Sequence, residues 1–229
     1  MNRKTKSEEL FEEYCRQRGY YLERIPESGK PTADYRIESS GFKIIVEVAE
    51  LGLNDDDHRI VKYLNTKHTA MYATIPGKRL RYALEHTQKK FRLCKSEGLA
   101  CLAVIYNNTP MGDHLDPVFD IDAAMFGDQQ ERFYLTQEYD IHHTQNVRGG
   151  NRKLSDMNGR YVSALAVLSK PAGAASPSLC FYHNPLALIP IRPELFSNPS
   201  DSHFVKPTHP DRFIGAWAGY DAPSASRGN

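Results

Sequence analysis

The sequence predicts an α/β protein with a mixed central sheet flanked by helices, built on the element order αβββαβ and extended by further strands toward the C-terminus. Three observations carry that expectation. An amphipathic helical pattern behind a capping box opens the chain, and two alternating runs around Ser39-Ser40-Gly41 form an antiparallel hairpin. The almost unbroken apolar run LACLAVIYN, residues 99–107, suits a strand buried on both faces. With 229 residues, 40% hydrophobic and 25% charged, the composition excludes fibrous and wholly disordered chains. At about 150 residues per domain, the length fits one domain over residues 1–197, with an irregular insertion at 109–157 and a loosely ordered tail at 198–229.

Thr5 and Glu8 have capping-box spacing, and Leu10, Phe11, Tyr14 and Cys15 recur at helical intervals until Gly19, so a helix is expected over about 7–18. A short strand follows at Tyr20 to Arg24, then the turn-rich stretch Pro26 to Pro31. In the hairpin, placing Ser40-Gly41 at the tip sets Ile37 against Ile44, Glu38 against Lys43, and Asp34 against Glu47. One face then carries Tyr35, Ile37, Phe42, Ile44, Val46 and Val48 as core, and the other carries Asp34, Arg36, Glu38, Lys43, Ile45, Glu47 and Ala49.

Residues 51–76 look polar and irregular, and Asp55-Asp56-Asp57 lacks the glycine and distal Glu of a calcium loop. A second helix is expected over 78–96, with Leu80, Leu84, Thr87, Phe91 and Cys94 as its packing stripe and basic side chains on its flanks; Gly98 ends it. Residues 109–157 look loop-like apart from a short helix near Asp122 to Phe126, and His142-His143 lacks helical metal spacing. Two more strands, Tyr161 to Leu168 and Ser178 to His183, extend the sheet, and His183 at the end of the second is structural. Beyond Asn198 the chain turns to Pro, Ser, Asp and Gly.

A formal charge of +1 excludes a strongly basic nucleic-acid coat, though not a protein that concentrates positive charge in one groove. No apolar run of about 18 residues exists and the N-terminal MNRKTKSEE is charged, so a soluble cytoplasmic protein with no membrane partner is expected. Cys15, Cys94, Cys101 and Cys180 show no CxxC spacing, which favours buried free thiols over a zinc site.

The chemistry centres on the hairpin. Carboxylates of Asp34 and Glu47 set opposite one another repel, and a hard divalent cation such as Mg²⁺ relieves that repulsion while leaving coordination positions for water and phosphate. Bound water acidified by such an ion is a nucleophile for phosphate esters. A helical carboxylate, Glu12 or less readily Glu8, is positioned to add a third ligand.

Together the strings SEELFEEY, PTADYRI, IIVEVAEL and LACLAVIYNN resemble the PD-(D/E)XK, or restriction-endonuclease-like, nuclease superfamily over about residues 7–108. The resemblance implies a restriction-endonuclease-like core and hydrolysis of phosphodiester bonds, in DNA rather than RNA, with Mg²⁺ or Mn²⁺ on Asp34 and Glu47. It further implies that Glu12 assists from the first helix and that Gln88 sits at the site's edge on the second. The chain departs from the family at the third position of Glu-x-Lys, where Ala49 stands for the lysine. Lys43 is about 13 Å along the strand from Glu47, beyond comfortable reach, so Lys89 or Lys90 from the second helix is the expected surrogate, with Lys90 assigned to catalysis. Arg79, Arg81, Lys89 and Arg92 are expected to contact phosphates. Ala49 also motivates an alternative, a degenerate nuclease fold serving as a nucleic-acid-binding or protein-interaction module. A third possibility is an enzyme for small phosphate esters.

Overall fold

A computed structural model describes residues 4–26, 29–39, 41–67, 75–94, 97–109, 115–135, 141–206 and 217–220. The first helix, α1, is Lys6–Gln17, and its capping box closes as the sequence predicts: Glu8 N donates to the Thr5 hydroxyl at 3.3 Å and Thr5 N donates to the Glu8 carboxylate at 2.7 Å. After β1 (Tyr21–Arg24) come β2 (Tyr35–Ser39) and β3 (Phe42–Leu51), antiparallel, with Tyr35 opposite Val46, Ile37 opposite Ile44 and Glu38 opposite Lys43. This is the register read from the alternation. Gly41 turns the chain at φ +79°, in the left-handed region that glycine enters without Cβ strain; Ser40 lies outside the described residues.

The next sheet strand, β4 (Ala100–Asn107), runs parallel to β3, which requires a crossover between them. Helices α2 (Asp55–Lys67) and α3 (Lys78–Cys94) lie in that connection. After a π-helical turn at Pro117–Asp122 and the short α4 (Ala123–Phe126), β5 (Gln129–Leu135) and β6 (Ile141–Arg148) form a separate two-stranded ribbon. The main sheet continues with β7 (Val162–Ser169), β8 (Ser178–His183), β9 (Ser202–Val205) and β10 (Ala218–Gly219), in the order β1-β2-β3-β4-β7-β8-β9-β10. It is mixed: β7 is parallel to β4, β8 antiparallel to β7, and β9 parallel to β8.

Each face of this sheet carries a core. Phe11, Tyr14 and Cys15 of α1 bury against Tyr35, Ile37, Ile44 and Val46, while Leu80, Leu84 and Phe91 of α3 bury against Ile45, Ala103 and Ile105, with Met125 and Phe126 of α4. Core therefore lies on both sides of β3, not only on the first face named above. Phe42, expected in that face, is 42% exposed, with the Arg192 guanidinium over its ring at 5.0 Å.

Three stretches differ from expectation. Residues 55–67 are helical because Asn54 and Asp57 exchange bonds, Asp57 N to Asn54 Oδ1 at 2.8 Å and Asn54 N to Asp57 Oδ2 at 3.0 Å, and the acidic first turn suits the positive end of the helix dipole. Residues 129–135 and 141–148 supply a β-ribbon inside the stretch expected to be loop. The stretch expected as a loose tail contributes β9 and β10 to the sheet, and Trp217 meets Tyr182 edge-on at 5.1 Å. Residues 207–216 and 221–229 of that stretch lie outside the described residues. Among the described residues no helix is long and apolar enough to cross a membrane. Cys15, Cys101 and Cys180 are free thiols, Cys15 and Cys101 buried and Cys180 half-buried; the Cys94 side chain lies outside the described set.

Candidate active site

Alternation along β3 directs Ile45, Glu47 and Ala49 toward α3, and Ile44, Val46 and Val48 toward α1. Glu47 is thus set beneath α3, only 5% exposed. At Asp34, just before β2, the regular ladder ends. Its backbone N donates to Val46 O at 3.1 Å, and its side chain replaces the next carbonyl, Oδ2 accepting from Val48 N at 2.9 Å. This leaves Oδ1 for another partner.

That partner is Lys90, whose ammonium donates to Glu47 Oε1 at 2.5 Å and to Asp34 Oδ1 at 3.4 Å. A lysine from the C-terminal third of α3 therefore joins the two hairpin carboxylates, on the side of the sheet where Ala49 presents only a methyl. Glu47 Oε2 is buried and has no hydrogen-bond partner among the described residues. Burial first, then the charge of Asp34, push Glu47 up to about 8, against the opposing pull of Lys90. Burial also acts against the charge on Lys90, but the two carboxylates outweigh it and its pKa is raised. A cleft of about 410 Å³ opens beside the group, lined by Arg24, Ile25, Lys30, Pro31, Thr32, Asp34 and Lys90 among others.

The donor set fits a hard cation. Two carboxylates, one with an orphaned buried oxygen, are the oxygen ligands that Mg²⁺ or Mn²⁺ takes while keeping water in its remaining positions. Among the described residues no cluster of three or more His, Cys, Asp or Glu side chains is disposed to hold a metal. Asp34 and Glu47 are the residues that would hold the ion.

Other predicted site residues are placed elsewhere. Glu12 lies in the α1 layer, across the sheet from Glu47; its carboxylate accepts from the Tyr35 hydroxyl at 2.9 Å and pairs with Lys4 at 2.7 Å. The reason is parity, since Tyr35 and Asp34 are consecutive and point to opposite faces. Gln88 is buried on α3 two residues before Lys90, and its amide donates to Lys153 O at 2.7 Å, tying down the loop after the ribbon instead of meeting the acidic pair.

Of the four basic residues expected on phosphates, Arg81 is buried and engaged, donating to Asp128 at 3.0 Å and to Ala123 O at 3.2 Å, so it serves the fold. Arg79 joins α3 to α2 through Asp57 at 2.9 Å. Lys89 and Arg92 stay on the exposed side of α3, with Glu85 at 3.4 Å from Lys89 and the Tyr161 hydroxyl at 3.2 Å from Arg92. Lys43 pairs with Glu38 at 3.9 Å. Sequence reading missed Arg24 and Lys30 on the cleft wall: Lys30 sits in the turn-rich stretch, which carries no periodic signal, and Arg24 ends β1, a strand of four residues too short to show which face is lined. A larger groove of about 970 Å³, lined by Arg18, Tyr20, Tyr21, Glu38, Glu194 and others, contains none of the predicted site residues.

Compared with protein-family models, with curated proteins and with solved structures, the chain matches none.

Proposed function

We propose that this protein is a metal-dependent nuclease with a restriction-endonuclease-like core, hydrolysing phosphodiester bonds in DNA with Mg²⁺ or Mn²⁺ held by Asp34 and Glu47. The observation that carries the reading is the convergence of both carboxylates on Lys90, which stands in for the strand lysine replaced by Ala49. A bound divalent ion supplies an acidified water and offsets charge on the phosphate. Glu47 and Asp34 fix the acidic pole of the site, and the Lys90 ammonium steadies the negative charge that gathers on the attacked phosphate. Lys89 and Arg92, exposed on the same helix, contact neighbouring phosphates. Glu12 has no part in this reading.

The test is cleavage of plasmid and of single-stranded DNA in Mg²⁺ or Mn²⁺ by the wild type and by Glu47→Ala. Nicking by the wild type that falls at least a hundredfold in the variant supports the reading; equal cleavage by both overturns it.

One observation favours a second reading. The ammonium already spans both carboxylates, supplying part of the charge a metal would bring, as in a degenerate nuclease fold that binds nucleic acid without cutting it. That reading requires salt-sensitive DNA binding with no cleavage in any divalent metal.

A further inference from the structure

The β5–β6 ribbon stands outside the main sheet. Every residue of β5 is exposed, as are residues 142–146 of β6. A two-stranded ribbon with so little burial is marginal in water on its own. Its root, in contrast, is tightly held: Arg148 pairs with Asp122 at 2.7 Å and Lys206 with the other oxygen of Asp122 at 2.8 Å, all three side chains almost fully buried. Gly149 N donates to Asp128 O at 2.7 Å, and Asp128 is the carboxylate that Arg81 of α3 grips. The result is an arm of fixed direction projecting into solvent.

We propose that this arm enters the major groove of B-form duplex DNA. Seven residues at about 3.3 Å each give an arm of roughly 23 Å, and a two-stranded ribbon matches a groove about 12 Å wide. The face chemistry agrees. Alternation puts Gln130, Arg132, Tyr134, His143 and Gln145 on one side, with Arg132 opposite Gln145, and Tyr134 opposite His143 and stacked on it at 5.6 Å. Among the described residues of β5 and β6, Glu131 is the one carboxylate and alternates to the other side, so the first face of the paired strands offers a guanidinium and amides with no negative charge; Glu138 and Asp140 fall in the connecting residues 136–140, outside the described residues. Guanidinium and carboxamide are the groups that read guanine and adenine edges in that groove. The root of the arm is near the candidate site: Arg81, which grips Asp128, is nine residues along α3 from Lys90, about 14 Å of helix, a separation within the length of one duplex. Duplex RNA has a major groove too deep and narrow for the ribbon.

The choice of a nucleic acid as occupant rests on the nuclease reading, so binding is measured apart from cleavage. Fluorescence anisotropy in EDTA, with the full chain, compares a 25-base-pair DNA duplex with an RNA duplex of the same sequence, for wild type and for R132A/Q145A. Both substituted positions are exposed, and circular dichroism checks that the fold is kept. The wild type should bind DNA at least tenfold more tightly than RNA, and the double variant should lose at least tenfold on DNA. Equal DNA affinity in wild type and variant, no DNA binding by the wild type, or equal binding of DNA and RNA overturns the proposal. So does a dimer dissolved by Phe133→Ser in sedimentation velocity while R132A/Q145A still binds DNA, because the arm would then serve protein contact. Ribbon-dependent DNA binding by a wild type that cuts nothing in Mg²⁺ supports the arm and counts against the hydrolase alone.

Discussion

Lys90 meets Glu47 at 2.5 Å across 43 residues of sequence, from a helix to a strand that the sheet and α3 bring together only in the folded state. This contact fixes the character of the site. A buried carboxylate is held with one oxygen bonded to Lys90 and the other without a hydrogen-bond partner among the described residues, next to a second carboxylate that the same ammonium meets.

Replacing Lys90 by methionine keeps the length of the side chain and removes its charge. Asp34 then loses its cation and Glu47, no longer held down by Lys90, takes up a proton on folding, so the variant should lose about 1–3 kcal/mol at pH 8, less than for a fully buried pair because Lys90 is part-exposed. Millimolar Mn²⁺ should raise the melting temperature of the variant more than that of the wild type, since the ion replaces the missing positive charge. Equal metal-induced shifts in the two proteins would argue against ion binding at this pair.

Glu12→Gln should leave cleavage within about twofold of wild type, because its carboxylate faces Tyr35 across the sheet from Glu47. Glu47→Gln should reduce cleavage at least a hundredfold. Steady-state plasmid nicking with matched protein and metal concentrations separates the two.

Arg81 and Arg92 should respond in opposite ways. Arg81→Ala strands Asp128 and the Ala123 carbonyl, so it should cost roughly 2–3 kcal/mol in urea unfolding. Arg92→Ala, on the exposed side of α3, should change unfolding by less than about 0.5 kcal/mol while weakening DNA binding and reducing its salt slope.

Acid should destabilise the protein partly through His183. Burial first, then His203, hold its pKa down to about 4, and Glu194 is the acid that opposes this. His203 Nδ1 lies 2.9 Å from His183 Nε2, and Asp201 and Glu194 face His203 in turn. The unfolded chain takes up a proton near pH 6.5 that the folded chain refuses until about pH 4, so stability falls as pH drops through that window, by on the order of 1–2 kcal/mol at pH 5 from this group. His183→Gln should flatten the dependence of melting temperature on pH between 6.5 and 4.5. An unchanged slope would remove His183 as the cause.

Local signals were legible where they were periodic. The Thr5–Glu8 box, the pairing of Ile37 with Ile44, and the doubly buried β4 all follow from spacing and composition. The helix at 55–67 was hidden because its start is a run of aspartates, which reads as loop unless Asn54 is recognised as the cap. The ribbon was hidden for a different reason: with both faces in water it lacks the alternation of apolar and polar residues that marks a half-buried strand. β9 and β10 were obscured by a Pro- and Ser-rich surrounding sequence, since β9 takes its pairing from β8 and β10 in turn from β9.

For the site, sequence alone determined that Asp34 and Glu47 belong to one hairpin and that Ala49 shares a face with Glu47, because strand register is a local property of alternation and turn. Only the tertiary structure decided that Lys90, not Lys89, reaches them, that Glu12 falls on the far side of the sheet, and that Arg81 is absorbed into the fold. Those outcomes depend on the rotation of α1 and α3 against the sheet, which is set by burial of Phe11, Leu84 and Phe91 between layers and has no signature in short-range spacing.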